Sequence, residues 1–198
     1  MGGYSDKIVV SLDDGYFPHP KKKGWTTLAG VISKGVIPFE CRIELVEVDG
    51  TDATEKAARI LSFLRSRHGM IDIVLLDGVT YAGFNFIDPE MLAETLGEKV
   101  DYIIVFRKKP NPQLILAALK KHFADWEKRW SVISKYVTSP KTMTTRFGRI
   151  FFSSNLETEK ALKALEELQV YSPVPEPLRI ADMLASAASR YFRRKGLL

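Results

Sequence analysis

The sequence predicts an α/β protein built on one mixed, five-stranded sheet, with helices on both faces and small C-terminal additions. Three strand-like segments come first with no helix between them, which makes that half antiparallel. Strands then alternate with helices, and this order demands right-handed crossovers and a mostly parallel second half. The later strands are apolar throughout, as strands are when both faces are covered. At 198 residues and 45% hydrophobic, the chain suffices for one core, and residues 1–198 read as a single domain.

Each element has its own justification. Residues 7–13 (KIVVSLD) are the first strand. Residues 25–34 follow a Pro/Lys/Gly loop as the second, and 41–48 alternate outward charge with inward apolar side chains as the third. The break at 35–38 makes these two an antiparallel hairpin beside the first. A helix over about 53–67 places Ala57, Ile60, Leu61 and Leu64 on one face, and Asp52 and Glu55 have capping-box spacing. Residues 71–76 form an unbroken apolar strand. A loop at 78–86 leads to Asp88-Pro89, a cap with proline at the first helical position, and a helix ending near Gly97. The fifth strand, 102–106, runs into Arg107-Lys108-Lys109-Pro110. Asn111-Pro112 then opens a helix to about His122. Strands at 132–138 and 147–153, a helix capped at Asn155 and a last helix from about Pro177 to Arg194 complete the chain. Three antiparallel strands followed by helix–strand–helix–strand–helix is the order of the ribonuclease H-like fold.

Composition narrows the function. The longest apolar runs fall far short of the ~20 residues that span a bilayer, and no basic-then-apolar leader opens the chain. The Met-Gly start lacks the later Ser or Thr of the myristoylation pattern. One cysteine, Cys41, cannot form an internal disulfide, and His19, His68 and His122 lack zinc spacing. A cytoplasmic protein with no membrane partner is expected. The net charge is +5. Lys21-Lys22-Lys23, Arg107-Lys108-Lys109, Lys120-Lys121, Lys128-Arg129 and Arg190/Arg193-Arg194-Lys195 are interleaved with Trp25, Phe106, Trp126, Trp130, Tyr191 and Phe192. Such a mixture suits a polyanion with stackable bases, DNA or RNA, although a solvated basic surface has the same composition.

Three apolar stretches end in Asp-Gly: Asp13-Asp14-Gly15, Asp49-Gly50 and Asp77-Gly78. An acidic residue at a strand end puts a carboxylate on the rim of the sheet. Mg²⁺ or Mn²⁺ needs only one or two such carboxylates plus substrate phosphate. Asp-Gly also simply makes turns. Asp13 and Asp77 end strands that should be neighbours at the sheet centre. Asp14 points to the opposite face from Asp13 and suits a turn or the surroundings of the site.

The segment Val174-Pro175-Glu176-Pro177-Leu178-Arg179-Ile180-Ala181-Asp182 resembles the Pro-Glu-Pro-x-Arg-x-Ala-(Asp/His) signature near the end of endonuclease V proteins. Ser11-Leu12-Asp13 resembles that family's first catalytic strand, and Leu76-Asp77-Gly78 its Asp-Gly motif. The chain is more similar still to an uncharacterised, largely archaeal family of the same superfamily. It shares Asp13-Asp14-Gly15, Asp49-Gly50-x-Asp52-Ala53, Asp77-Gly78-Val79-Thr80-Tyr81-Ala82-Gly83-Phe84-Asn85 and Pro-Glu-Pro-Leu-Arg. Endonuclease V is a ribonuclease H-like, metal-dependent nuclease that recognises hypoxanthine in DNA or RNA. The resemblance implies metal ligation by Asp13, Asp52 and Asp77, with Asp182 offered by the last helix, and charge balance from Arg107 or Lys108. The chain departs from that family in three places. The Arg-Glu pair before the first helix is absent, so an Asp stands for the Glu. The Tyr-Pro-Gly wedge is missing. The His-Pro-Arg stretch after Asp-Gly is replaced by Tyr81-Ala-Gly-Phe84-Asn85.

Competing roles stay open at several positions. Asp52 also suits a helix cap, and Asp49 competes with it as the third carboxylate. Tyr81 and Asn85 recognise a base or close their loop. Glu176 is a substrate contact or an N-terminal helix charge, and Arg179 is a substrate contact or the salt-bridge partner of Asp182. The expected function is a Mg²⁺- or Mn²⁺-dependent endonuclease on DNA or RNA. The alternative is a nucleic-acid-binding module that kept the fold and lost turnover. A third reading, an enzyme for a small phosphorylated metabolite, predicts a closed pocket in place of an open groove.

Overall fold

The computed structural model describes residues 3–18, 24–97 and 99–198, so His19 and the Lys21-Lys22-Lys23 run lie outside the described residues. Strands β1 (Ile8–Asp14), β2 (Trp25–Lys34) and β3 (Ile37–Glu47) form an antiparallel meander, as expected, with β3 beginning four residues early. Helix α1 (Ala53–His68) crosses to β4 (Ile73–Asp77), which lies parallel to β1. The expected loop at 78–86 contains a small antiparallel ribbon, β5 (Thr80–Tyr81) and β6 (Asn85–Phe86). Helix α2 (Pro89–Leu96) leads to β7 (Tyr102–Phe106), parallel to β4. Then follow α3 (Pro112–His122), α4 (Trp126–Val137), β8 (Lys141–Thr145), β9 (Gly148–Ser154), α5 (Thr158–Glu167) and α6 (Glu176–Arg194).

The main sheet has seven strands, not five, in the order β3-β2-β1-β4-β7-β9-β8. The additions join the sheet because β9 pairs antiparallel with β7 and carries β8 at its outer edge. Residues 132–138, expected as a strand, belong to α4. Buried Arg129, Ile133, Tyr136 and Val137 recur there at helical spacing, and the β-branched and aromatic content had masked that period.

Two of the anticipated caps form. Asp88 accepts from the Glu90 N–H and Asn111 from the Leu114 N–H, both at 3.0 Å, with proline at the next position. Two do not. Asp52 makes no side-chain cap; the first N–H of α1, that of Ala53, goes to Asn85 Oδ1 at 3.0 Å. Asn155 bonds back to β7 and its approach, through the Tyr102 N–H and the Val100 carbonyl, and α5 starts without it.

Helices cover both faces. Val10, Leu12, Leu28, Leu76 and Ile104 pack under α1 to α4 with Ile60, Leu61, Leu64, Leu119 and Ile133. Val9, Leu75, Ile103 and Val105 pack under α5 and α6 with Ala161, Leu165 and Leu178. Each fully buried Leu, Ile or Val contributes ~1.5–3 kcal/mol. Among the described residues no helix is long and apolar enough to cross a membrane.

The end of β1 is joined to α6 through Gly15. A Cβ there would stand 2.3 Å from Thr27 Oγ1, 2.6 Å from the Ala185 carbonyl oxygen and 2.7 Å from Ser189 Cβ. None of these is the end of a flexible side chain, so Gly15→Ala must push α6 away. A loss of ~1–3 kcal/mol is expected. Thermal denaturation should show a midpoint lower by ~2–12 °C, at ~2–4 °C per kcal/mol for a chain of this size. An unchanged midpoint would show that α6 is not held this closely.

Candidate active site

Strands β1, β4 and β7 are parallel neighbours, so their C-terminal ends share one edge of the sheet, where ligands of open α/β sheets gather. Leu12 pairs with Leu76, which sets Asp13 and Asp77 side by side one residue further on. Gly78, at φ 79°, turns the chain away directly after Asp77. Arg107 follows the last residue of β7, and α6 returns across β1 and β2 with Asp182. The guanidinium of Arg107 is where these side chains meet. Its Nη2 lies 2.6 Å from Asp77 Oδ2, 3.0 Å from Asp182 Oδ2 and 3.8 Å from Asp13 Oδ2. Nε adds a second bond to Asp77 Oδ2 at 3.1 Å.

The electrostatics are those of too many negative charges in one place. Burial pushes the Asp13 carboxyl well above the usual carboxylate range, and the charges of Asp77 and Asp14 push it further. Burial also takes Asp14 up to about 7, although the Ala82 N–H bound to its carboxylate opposes this. Burial works against the charge on Arg107, but the Asp77 hydrogen bond and the nearby carboxylates more than offset it, so its pKa is raised. Beneath them Tyr81 is fully buried, with its hydroxyl donating to the Gly78 carbonyl at 3.3 Å. Burial first, then Asp13, Asp77 and Asp14, hold that phenol well above its ordinary value.

Among the described residues no three His, Cys, Asp or Glu side chains are arranged as a ready cage for an ion. The donor set nevertheless fits a hard divalent cation. Three carboxylate oxygens converge on one nitrogen, all donors are oxygen, and one guanidinium does not neutralise Asp13, Asp14, Asp77 and Asp182 together.

The other predicted residues build the support. Asp14 Oδ2 accepts from the Ala82 N–H at 2.9 Å, and Asp49 Oδ1 from the Phe84 N–H at 2.8 Å. The Asp49 N–H returns a bond to the Ala82 carbonyl at 2.8 Å. Two of the Asp-Gly carboxylates thus clip the β5–β6 ribbon in place, and Asp49 and Ala82 both take left-handed backbone to allow it. Asn85 is fully buried. Its Nδ2 donates to the Glu47 carbonyl (2.9 Å) and to Asp52 Oδ1 (2.7 Å), while Oδ1 accepts from the N–H groups of Ala53 and Phe86. Asp52 is therefore engaged by Asn85 and the Glu47 N–H, and it is not among the carboxylates on Arg107. Asn85→Ala removes all four bonds at once. It should cost ~3 kcal/mol, from buried groups left without partners at ~1–3 kcal/mol each, measured by urea denaturation; a loss under ~0.5 kcal/mol would sink the idea.

Glu176 and Arg179 pair with each other through two bonds, at 2.5 and 2.9 Å, at the start of α6, so Asp182 is left to Arg107 and Ser186. That contact holds the Glu176 carboxyl below its usual range. Lys108 is exposed, and it is Arg107 that enters the cluster.

Arg129, grouped above with the basic residues that suit a polyanion, is turned inward and braces the site. It is 5% exposed, and its Nη1 donates to the carbonyls of Gly50 and Phe84, both at 2.8 Å, while Nε bonds Asp125 at 2.9 Å. Its guanidinium also lies 4.3 Å from the Phe123 ring centroid. The i, i+4 spacing of Asp125 and Arg129 is the sequence signal for this inward role.

Comparison with known proteins bears on the family and on the fold. The family model described as Endonuclease dU matches residues 7–189. The UPF0215 protein of Pyrococcus furiosus is 37% identical over 185 residues, covering 92% of this chain and 92% of its own. A crystal structure described as a protein of unknown function from Archaeoglobus fulgidus superposes with a TM-score of 0.75 at 23% identity, over 92% of this chain and 98% of that one. Endonuclease V of Ciona intestinalis, solved with a DNA containing an inosine followed by a ribo-adenosine, gives 0.58 at 15% identity, over 96% and 86%. The fold is thus that of endonuclease V, as the motif at 174–182 implied.

Proposed function

Since the chain belongs to the Endonuclease dU family, we propose that it is a metal-dependent endonuclease that hydrolyses phosphodiester bonds of DNA or RNA. The observation that carries this reading is the convergence of Asp13, Asp77 and Asp182 on one point at the C-terminal ends of the central parallel strands. These three would hold Mg²⁺ or Mn²⁺, with Asp52 supporting the loops through Asn85. The bound metal would supply Lewis acidity towards a phosphoryl oxygen and lower the pKa of a water. Arg107 brings a permanent positive charge to the side where a phosphate arrives, and it keeps the carboxylates together before that. The buried ribbon held by Asp14, Asp49 and Arg129 keeps the rim rigid, so the carboxylates need little reorganisation when charge develops.

The family description makes a strand containing deoxyuridine the first substrate to test. The inosine DNA bound by the Ciona relative makes the second. Purified protein with Mn²⁺ should nick one of these, and Asp77→Asn should lose that activity. No cleavage of either, together with an equal Mn²⁺-induced rise in melting temperature for wild type and Asp77→Asn, would overturn the proposal.

One observation favours the non-catalytic alternative: the Arg107 guanidinium already sits among the carboxylates. Arg107→Gln separates the two readings. For an enzyme, metal-free protein should melt lower than wild type, and Mn²⁺ should raise its midpoint by more than it raises wild type. A pure binding module gains nothing from Mn²⁺ in either protein.

A further inference from the structure

Past the carboxylate cluster, the far end of α6 carries a second surface. Tyr16 lies three residues beyond Asp13, so their Cα atoms are within ~11 Å. At ~1.5 Å of rise per residue, Arg190 stands ~12 Å and Arg194 ~18 Å along the helix from Asp182. The two segments are tied together where Gly15 meets α6, and Thr27 Oγ1 donates to the Ala185 carbonyl at 2.8 Å. The carbonyl of Tyr16 accepts from Thr26 Oγ1 at 3.0 Å and from Arg193 Nε at 3.4 Å, and Arg193 Nη2 donates to the Trp25 carbonyl at 2.7 Å. The backbone beneath the Tyr16 ring is therefore fixed from both sides.

The ring itself is available. Tyr16 is 46% exposed, with the Arg190 guanidinium carbon 4.9 Å from its ring centroid. Arg190, Arg194 and Lys195 are exposed, and among the described residues no carboxylate pairs with them or with Arg193. Basic residues suit a helix C-terminus for its dipole alone. That accounts for the charges, but not for a half-exposed aromatic ring that stands beside them on a fixed backbone.

We propose that this surface is a single-strand platform. One unpaired base of the nucleic acid stacks on Tyr16, and Arg190 and Arg194 take the phosphates beside it, a few nucleotides from the bond at Asp13 and Asp77. The inference rests on the nuclease reading for the direction of the strand. A platform that stacks a base selects an unpaired strand, because a duplex keeps its base faces stacked on each other.

The test is anisotropy of labelled single-stranded and duplex oligonucleotides, in DNA and RNA arms, with no divalent metal. Tyr16→Ala should weaken single-strand binding ~10-fold and leave duplex binding unchanged, while Tyr16→Trp retains affinity. Tyr16→Leu keeps apolar bulk without the π face, and it should behave as Tyr16→Ala even where the alanine variant melts lower. Replacing Arg190 and Arg194 by Gln should flatten the slope of log affinity against log salt by ~1.4, two single-strand contacts at ~0.7 each. Binding by Tyr16→Leu equal to wild type, or competition by polyglutamate as strong as by single strand, overturns the platform. Asp77→Asn should abolish cleavage, and the loss of single-strand binding on Tyr16→Leu should persist in that background. Tyr16-dependent binding in a protein that cleaves nothing would overturn the nuclease reading alone; cleavage indifferent to Tyr16 would overturn the platform alone.

Discussion

Asp13→Asn should lose ~10³-fold or more in cleavage rate, as several kcal/mol of charge stabilisation at the reacting phosphate disappear, and yet melt higher than wild type in chelator. The second half follows from the environment of the carboxyl. Asp13 is 6% exposed and lies beside Asp77 and Asp14, so the folded state resists the charge that the unfolded chain carries freely. Asparagine keeps the acceptor for the Asp14 N–H, which lies 2.8 Å from Asp13 Oδ1, and removes the charge. A higher midpoint than wild type is therefore expected in chelator. Saturating Mn²⁺ should reverse the ranking, because a ligand at 100 times its dissociation constant stabilises by ~2.7 kcal/mol and only wild type binds it fully. Calorimetry with chelator and with Mn²⁺ reads both halves. A variant less stable than wild type in chelator, and equally raised by Mn²⁺, would refute the charge argument.

Arg129→Met should be, with Asn85→Ala, among the most damaging single changes away from the Arg107 cluster. Methionine fills much of the volume, but it leaves the carbonyls of Gly50 and Phe84 without their donor. At ~1–3 kcal/mol for each orphaned group, the loss is ~3 kcal/mol. The ion pair with Asp125 adds little, since that carboxylate is 41% exposed and screened. Arg129→Lys should rescue only part, because an ammonium lacks the planar fork that reaches both carbonyls and Asp125. Cleavage should fall with stability, since the same ribbon holds Asp14. Urea denaturation and limited proteolysis at 82–84 measure the two effects; a variant that unfolds with wild type would show Arg129 to be incidental.

Elements with strong local signals were legible in the sequence. The apolar strands at 8–12 and 73–76, the Asp88-Pro89 and Asn111-Pro112 helix starts and the succession β1, β2, β3, β4 and β7 all follow from short-range pattern. Features decided by distant partners were not. Nothing near Asn155 says that it bonds Tyr102, and nothing near Asp52 says that Asn85 takes over its capping role. The two extra strands joined the sheet because β7 offered a free edge, a property of the assembled sheet rather than of residues 141–154. At the site, Asp13 and Asp77 could be placed together from strand order alone. The choice of Arg107 over Lys108, and of Asp182 over Asp52, needed three-dimensional geometry.

The Arg107–Asp182 contact joins residues 75 apart in sequence, and its acidic partner rides on α6, the last helix of the chain. Synthesis runs from the other end. A nascent chain on the ribosome displays Asp13 and Asp77 long before it owns Asp182, so the full carboxylate set appears only after α6 has emerged and docked. A polypeptide interrupted before α6 carries an incomplete cluster.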